Sequence, residues 1–303
     1  MKIKLKIPAT TANFGSGFDV FGAALKLYNE IEITATSDKR QASSFEIIGE
    51  GSDSLPKNEK NIIWQAMKLV FKKCQLPTIN CQQKFTNNIP LARGLGSSAA
   101  ARLGGLMAAN ILCDGKLSND EIICMATQLE GHPDNVVPAL SGGLCVCNYD
   151  GKNVKYAKFK MPDDLKAVLC IPDFELSTDR ARKILPKKVS HKDAVFNLSR
   201  VAMFISAIVQ KKYEFLSLAM EDKLHQPYRK KLIPGLDDVF KGAKNAGALG
   251  VCISGSGPTI IALVSEEKSG YIGRAMVTGF SKHKIESRYI VCDFDNGGII
   301  VRR

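Results

Sequence analysis

Residues 90–101 read Pro-Leu-Ala-Arg-Gly-Leu-Gly-Ser-Ser-Ala-Ala-Ala, and this run narrows what the chain can fold into more than any other stretch. Gly94 and Gly96 let the backbone approach a ligand closely and aim successive N–H groups at one point. The small-residue helix predicted over Ala99–Leu112 adds the positive end of its dipole. Together they make an anion site suited to phosphates, and Ser97 and Ser98 can add hydroxyl contacts to phosphate or metal. Three readings compete. A Walker A loop is excluded because no lysine follows the last glycine. The dinucleotide fingerprint Gly-x-Gly-x-x-Ala is matched formally, with Asp114 at a tolerable distance. That fingerprint needs a buried strand before it, and Thr86-Asn-Asn-Ile-Pro90 is polar and proline-broken. A plain helix cap with a tight turn is the third, and it does not need the full Gly-Leu-Gly-Ser-Ser-Ala-Ala run.

Around this loop the pattern is mixed. Strands are predicted at Lys2–Ile7, Tyr28–Thr34, Phe45–Ile48 and Cys81–Thr86, and a helix over Asn61–Cys74. Ser118-Asn-Asp-Glu121 is a capping box that opens a helix running to about Glu130. A strand over Gly143–Asn148 leads to a hairpin turn at Asp150-Gly151. Beyond Lys160 come a strand at Lys166–Ile171 and helices over Ser190–Lys212, Glu214–Leu224 and Leu236–Asn245. Strands at Val251–Ser254 and Thr259–Val264 flank Gly255-Ser-Gly-Pro258. A helix near Tyr271–Phe280 and strands Tyr289–Phe294 and Ile299–Arg302 complete the pattern. Helices and strands mix without strict alternation, which predicts two α+β domains, 1–160 and 161–303.

Charge and cysteines remove several function classes. The net charge of +12 suits nucleic acid or small anionic substrates, but the lysines are dispersed and aromatics are only 7%, so no stacking platform accompanies them. Cys145 and Cys147 share one strand face without a second pair, which argues for buried thiols rather than a metal–thiolate site; the nine cysteines read as reduced. Met1–Ile7 alternates charged and apolar residues and reads as a strand rather than an export signal, and no apolar run reads as a membrane span. The expectation is a cytoplasmic protein that engages neither membrane nor nucleic acid, with a homodimer left open.

The loop at 90–101 resembles the phosphate loop of the kinase superfamily that contains galactokinase, homoserine kinase, mevalonate kinase and phosphomevalonate kinase. Two further segments resemble that superfamily's other signatures: Pro8-Ala-Thr-Thr-Ala-Asn-Phe-Gly-Ser-Gly-Phe-Asp19 and Ser254-Gly-Ser-Gly-Pro-Thr259. The likeness therefore covers nearly the whole chain. Ser16 stands where the first signature commonly has proline, and a serine still permits the turn. The resemblance implies an α+β two-domain fold with a nucleotide-holding N-terminal domain, a ferredoxin-like C-terminal domain and the active site between them. Asp19, His132-Pro-Asp-Asn135, Ser177-Thr-Asp-Arg-Ala-Arg182 and Leu224-His-Gln-Pro-Tyr-Arg229 are similar to the homoserine kinase branch.

That resemblance implies ATP and Mg²⁺, and it assigns residues. Nucleotide contacts fall on Asn61 and on Pro90, Leu91, Ala92, Arg93, Gly94, Leu95, Gly96, Ser97, Ser98, Ala99 and Ala100; Asn61 reads equally as a helix N-cap. Ser98 and Glu130 match metal ligands, and a carboxylate at the negative end of a helix dipole is otherwise unfavourable. Asn13, His132 and Asn135 fall around the substrate hydroxyl, and Gly255 beside the substrate. Glu130, Asn135, Ser98 and His132 carry the catalytic assignments. A zwitterionic amino acid needs an anion for its ammonium and a planar cation for its carboxylate; Asp19 suits the first, and Arg182 and Arg229 the second. Read without the motif, either arginine is a surface ion pair. No strong general base is required, because phosphoryl transfer depends chiefly on positioning and charge stabilisation. A mevalonate- or shikimate-type kinase has no use for an ammonium partner, and a non-catalytic sensor has no need of intact Ser98 and Glu130.

Overall fold

Ile3, Leu5 and Ile7 are fully buried, and the lysines between them point outward, so the alternation predicted for the N-terminus is a half-buried strand. In the computed structural model, which describes residues 1–35, 43–77 and 79–302, this strand β1 runs Lys2–Ala12 and pairs antiparallel with β2, Phe21–Ala35. Both are longer than predicted. A register shift at Pro8/Ala9 lets the strand continue past a proline that cannot donate to the ladder. The first signature is thus half strand and half turn.

Next come β3 (Ser44–Gly49), α1 (Ile62–Lys73) and β4 (Cys81–Asn87), with β3 and β4 parallel. After them lie α2 (Ser97–Leu112), α3 (Asn119–Glu130), α4 (Val136–Ser141) and a hairpin of β5 (Leu144–Tyr149) and β6 (Val154–Phe159). The capping box is formed: Ser118 accepts from the Glu121 amide, and Glu121 accepts from the Ser118 amide. Together with the last strand, β11 (Ile300–Arg302), these strands build one sheet of order β11-β1-β2-β4-β3, with β5 and β6 branching from β2.

The second sheet has the order β10-β7-β9-β8 and is antiparallel throughout. It uses β7 (Leu165–Pro172), then, beyond α5 (Thr178–Lys183), α6 (His191–Gln210), α7 (Leu216–Ala219), α8 (Gln226–Arg229) and α9 (Leu236–Asn245), β8 (Gly250–Ile253), β9 (Ile260–Ser265), α10 (Ser269–Ser281) and β10 (Ser287–Asp293). That β-α-β-β-α-β order is ferredoxin-like, with α9 and α10 as the packed helices. The last strand, β11 (Ile300–Arg302), returns to pair with β1, so the end of the 161–303 stretch joins the first sheet. Phe204, Ala207, Leu216 and Met220 likewise pack into the first core.

One helical expectation changes. The helix predicted over Glu214–Leu224 stops at Ala219, because Asp222 accepts from the amides of Leu224, His225 and Gln226 and holds a turn there. By length and composition only, α6 is apolar enough to cross a membrane, its 18-residue window having a mean hydropathy of 1.2. It seats Asn197, Phe204, Ala207 and Ile208 inside the protein and leaves Val195, Leu198 and Val209 exposed.

Candidate active site

The three glycine segments interlock. Thr10 on β1 donates its amide to the Leu95 carbonyl, and Gly255 donates its amide to Ala12. Ser254 Oγ donates to the Gly94 carbonyl and lies 2.9 Å from Thr11 Oγ1, within hydrogen-bond distance. The close approach explains the glycines. A Cβ on Gly94 would lie 2.2 Å from the Ser254 carbonyl oxygen, and one on Gly96 2.0 Å from Thr10 Oγ1. Both residues also adopt left-handed conformations, φ +71° and +69°.

Gly96 caps α2, and among the described residues the amides of Ser97, Ser98 and Ala99 have no backbone acceptor. Three unsatisfied donors at a dipole's positive end form the expected anion cradle. At its rim Ser98 Oγ donates to Glu130 Oε1 at 2.7 Å. Arg102, one turn along α2 from Ser98, donates to the same oxygen at 2.7 Å and also to the Leu129 carbonyl. The guanidinium thereby offsets a carboxylate at the negative end of α3.

Across the cleft, Thr10 Oγ1 donates to Asn135 Oδ1 at 2.8 Å, and Asn135 Nδ2 donates to Asp134 Oδ1 at 3.2 Å. His132 Nδ1 lies 2.5 Å from the same Asp134 oxygen. Burial pulls the His132 imidazole down, but the Asp134 carboxylate more than offsets this and holds it above the ordinary histidine value. Asn13 is spent inside the protein, donating to the Gly255 carbonyl and accepting from the Asp19 amide.

The arginines differ in kind. Arg229 is 1% exposed and donates to the Ala181 and Gly255 carbonyls, with its NH1 3.2 Å from His225 Nδ1. Burial, then the neighbouring Arg182 charge, lowers its pKa to about 10. His225, fully buried with Nε2 2.7 Å from the Gly15 carbonyl, is pushed down to about 4 by burial. The neutral ring therefore donates from Nε2 and accepts Arg229 at Nδ1. Arg182 instead forks onto Asp19, at 2.9 and 2.6 Å. Phe18 lies under both guanidinium groups, 5.5 Å from Arg182 and 5.2 Å from Arg229.

One cleft is lined by Asn13, Asp19, Glu130, His132, Asn135, Arg182, Arg229 and Gly255 together with Pro90 and residues 92–99. It is open to solvent, with a cavity volume of about 100 Å³. Three residues assigned to the nucleotide do not line it. Asn61 caps α1, its Oδ1 accepting from the Ile63 amide and its Nδ2 donating to Pro56; Ala100 is in the core; Leu91 gives its carbonyl to Arg93. The cleft adds Asp134, Leu176, Thr178 and Ser256, which carried no assignment. Arg102 was also missed, although its place four residues after Ser98 on one helix face signals it.

This site sits between the two sheets of a phosphate-loop fold, and comparison with known proteins gives its class. The model described as "GHMP kinases N terminal domain" matches residues 61–143, and "GHMP kinases C terminal" matches residues 204–281. The chain belongs to the GHMP kinase family. Within it, the chain is 44% identical over 294 residues to a homoserine kinase of Carboxydothermus hydrogenoformans, covering 97% of this chain and 95% of that one. It is 49% identical over 266 residues to a homoserine kinase of Caldicellulosiruptor bescii, covering 87% and 85%. The crystal structure of homoserine kinase from Cytophaga hutchinsonii matches with a TM-score of 0.89 at 33% identity, over 99% of this chain and 97% of that one.

Proposed function

We propose that this chain is a homoserine kinase that transfers the γ-phosphoryl group of ATP to the homoserine hydroxyl, giving O-phosphohomoserine for threonine biosynthesis. The carrying observation is one cleft that joins a phosphate cradle to a set of charges matching a zwitterion: Asp19 for an ammonium, Arg182 and Arg229 for a carboxylate. The free amides of residues 97–99 take phosphate oxygens. Asn135 and His132 line the same cleft and would meet the acceptor hydroxyl in this reading, and His132 Nε2 has no partner among the described residues.

The donor set suits Mg²⁺. Ser98 and Glu130 present hard oxygens at the cradle's rim, and Glu130 Oε2 has no hydrogen-bond partner among the described residues. When bound, the ion would neutralise charge building on the transferring phosphoryl group. Arg102 holds Glu130 in place for that role.

A cytoplasmic location belongs to this reading, supported by ATP dependence and by nine free cysteines. So does a homodimer, for which the exposed Val195, Leu198 and Val209 on α6 supply an apolar face; sedimentation as a monomer would remove it. The reading is tested by ADP release against a panel of hydroxylated amino acids and alcohols. L-homoserine should be the best acceptor, and a better rate with mevalonate would defeat it.

A further inference from the structure

Asparagine is among the residues most favoured for capping a helix with its own side chain, yet Asn135, at the start of α4, makes no such bond. Its amide is turned elsewhere. Oδ1 accepts from Thr10 Oγ1 at 2.8 Å, and Nδ2 donates to Asp134 Oδ1 at 3.2 Å. The two contacts fix which way the amide faces, because a flipped group would set its oxygen against the Asp134 carboxylate. The shorter one comes from Thr10, 125 positions away in the chain.

Thr10 is 1% exposed and does not line the cleft, so it is not itself a ligand contact. It lies in the β1–β2 ladder opposite Ala24. It also touches the phosphate loop. Its amide donates to the Leu95 carbonyl at 3.1 Å. A Cβ on Gly96 would lie 2.0 Å from Thr10 Oγ1 and 3.1 Å from Asn135 Oδ1, so the Thr10–Asn135 bond runs against the residue that precedes the three free amides of the cradle.

We propose that Thr10 is a positioning residue that registers the two reactants. Its amide fixes the phosphate loop, and its hydroxyl fixes Asn135. This rests on the homoserine reading, in which Asn135 meets the acceptor hydroxyl. In-line transfer needs the attacking oxygen aligned with the γ-phosphorus, and a small misplacement costs rate more than affinity. The donor loop at 94–99 and the acceptor turn at 132–135 are separate segments, and Thr10 bonds to both. Without its hydroxyl, the buried Asn135 Oδ1 loses its donor and the amide is held at one end only.

A packing role alone predicts a different pattern. The methyl group of Thr10 would then matter as much as its hydroxyl, and the fate of the phosphoryl group would not change.

The test compares Thr10→Ser, Thr10→Ala and Thr10→Val. The first two both lose the methyl group and differ only in the hydroxyl; valine keeps the size and loses the hydroxyl. Each is assayed for kcat, for the KM of homoserine and of ATP, and for ADP formed against phosphohomoserine formed. Binding of a non-hydrolysable ATP analogue checks that each variant is folded. Thr10→Ala and Thr10→Val should lower kcat at least about tenfold, with both KM values within about threefold of wild type. In both, ADP should exceed phosphohomoserine, because a misaligned hydroxyl loses the phosphoryl group to water as inorganic phosphate. Thr10→Ser should keep kcat within about threefold of wild type, with ADP and phosphohomoserine equal. In an Asn135→Ala background, Thr10→Ala should cost less than about threefold more, since the hydroxyl has nothing left to hold. Should Thr10→Val fail to fold, the serine and alanine variants carry the comparison. Equal kcat in Thr10→Ser and Thr10→Ala, ADP matching phosphohomoserine in Thr10→Ala, or fully additive losses in the double variant would overturn the positioning role and leave the homoserine reading intact. If wild type does not phosphorylate homoserine, both fall.

Discussion

Replacing Glu130 with glutamine keeps the side chain's size and removes its charge, so it separates a metal ligand from a helix-end carboxylate. Two stability effects oppose each other. The Arg102–Glu130 pair has side-chain exposures of 27% and 9%, between the surface limit of about 0–1 kcal/mol and the buried limit of about 3–5 kcal/mol for losing one partner. Removing a negative charge from the C-terminal end of α3 returns about 0.3–1 kcal/mol. The net loss should be about 1 kcal/mol by urea denaturation. Turnover is a different matter, because charge stabilisation at the transferring phosphoryl group appears mainly in the transition state. Its loss should cost about 3 kcal/mol, or roughly 10²-fold in kcat. A coupled ADP-release assay over a Mg²⁺ titration reads both the drop and any shift in metal requirement. Activity within threefold of wild type at limiting Mg²⁺ would take Glu130 out of the metal site.

Other perturbations separate roles within the cleft. Arg229→Ala should weaken homoserine binding by about 1.5–3 kcal/mol while leaving ATP-analogue binding nearly unchanged, and should also lower stability by about 1–3 kcal/mol because the Ala181 and Gly255 carbonyls lose a buried donor; unchanged homoserine affinity by calorimetry would contradict it. His225 is neutral in the fold down to about pH 4 but protonates near pH 6.5 when unfolded, so stability falls as pH drops through that window; between pH 7.5 and 5 the loss from this group should be about 2 kcal/mol, absent in His225→Gln by urea denaturation. Gly94→Ala places a Cβ against the Ser254 carbonyl at a left-handed φ and should destabilise by at least about 1–3 kcal/mol, with a raised KM for ATP; a fully stable variant with an unchanged KM would refute the interlock of the two glycine turns.

The sequence was legible where local chemistry matched the fold. The capping box at Ser118 and the amphipathic α1 formed as read, because their own side chains satisfy them. It was silent where tertiary context decides. β6 lies at a sheet edge with only Val154 buried, so no alternation marks it. α5 is a polar single turn and a half whose helicity rests on the Ser177 cap. The stretch after Ala219 has helical propensity, and the three amides gathered by Asp222 override it.

At the site, motif spacing named the cleft residues but could not give their pairing. The residues are far apart in the chain, and only the fold brings Asp19 to Arg182 or puts Arg102 against Glu130. At Asn61 the cap that residue type alone offered is formed, its Oδ1 accepting from the Ile63 amide, while its Nδ2 donates to the Pro56 carbonyl in the preceding loop.

The central claim is that this cleft selects a hydroxylated amino-acid zwitterion as phosphoryl acceptor. A single reaction containing ATP, Mg²⁺, and equal concentrations of L-homoserine and mevalonate tests it directly, with the phosphorylated products resolved by mass spectrometry. Phosphohomoserine should be by far the major product from the earliest time point. Phosphomevalonate in equal or greater amount would contradict the account.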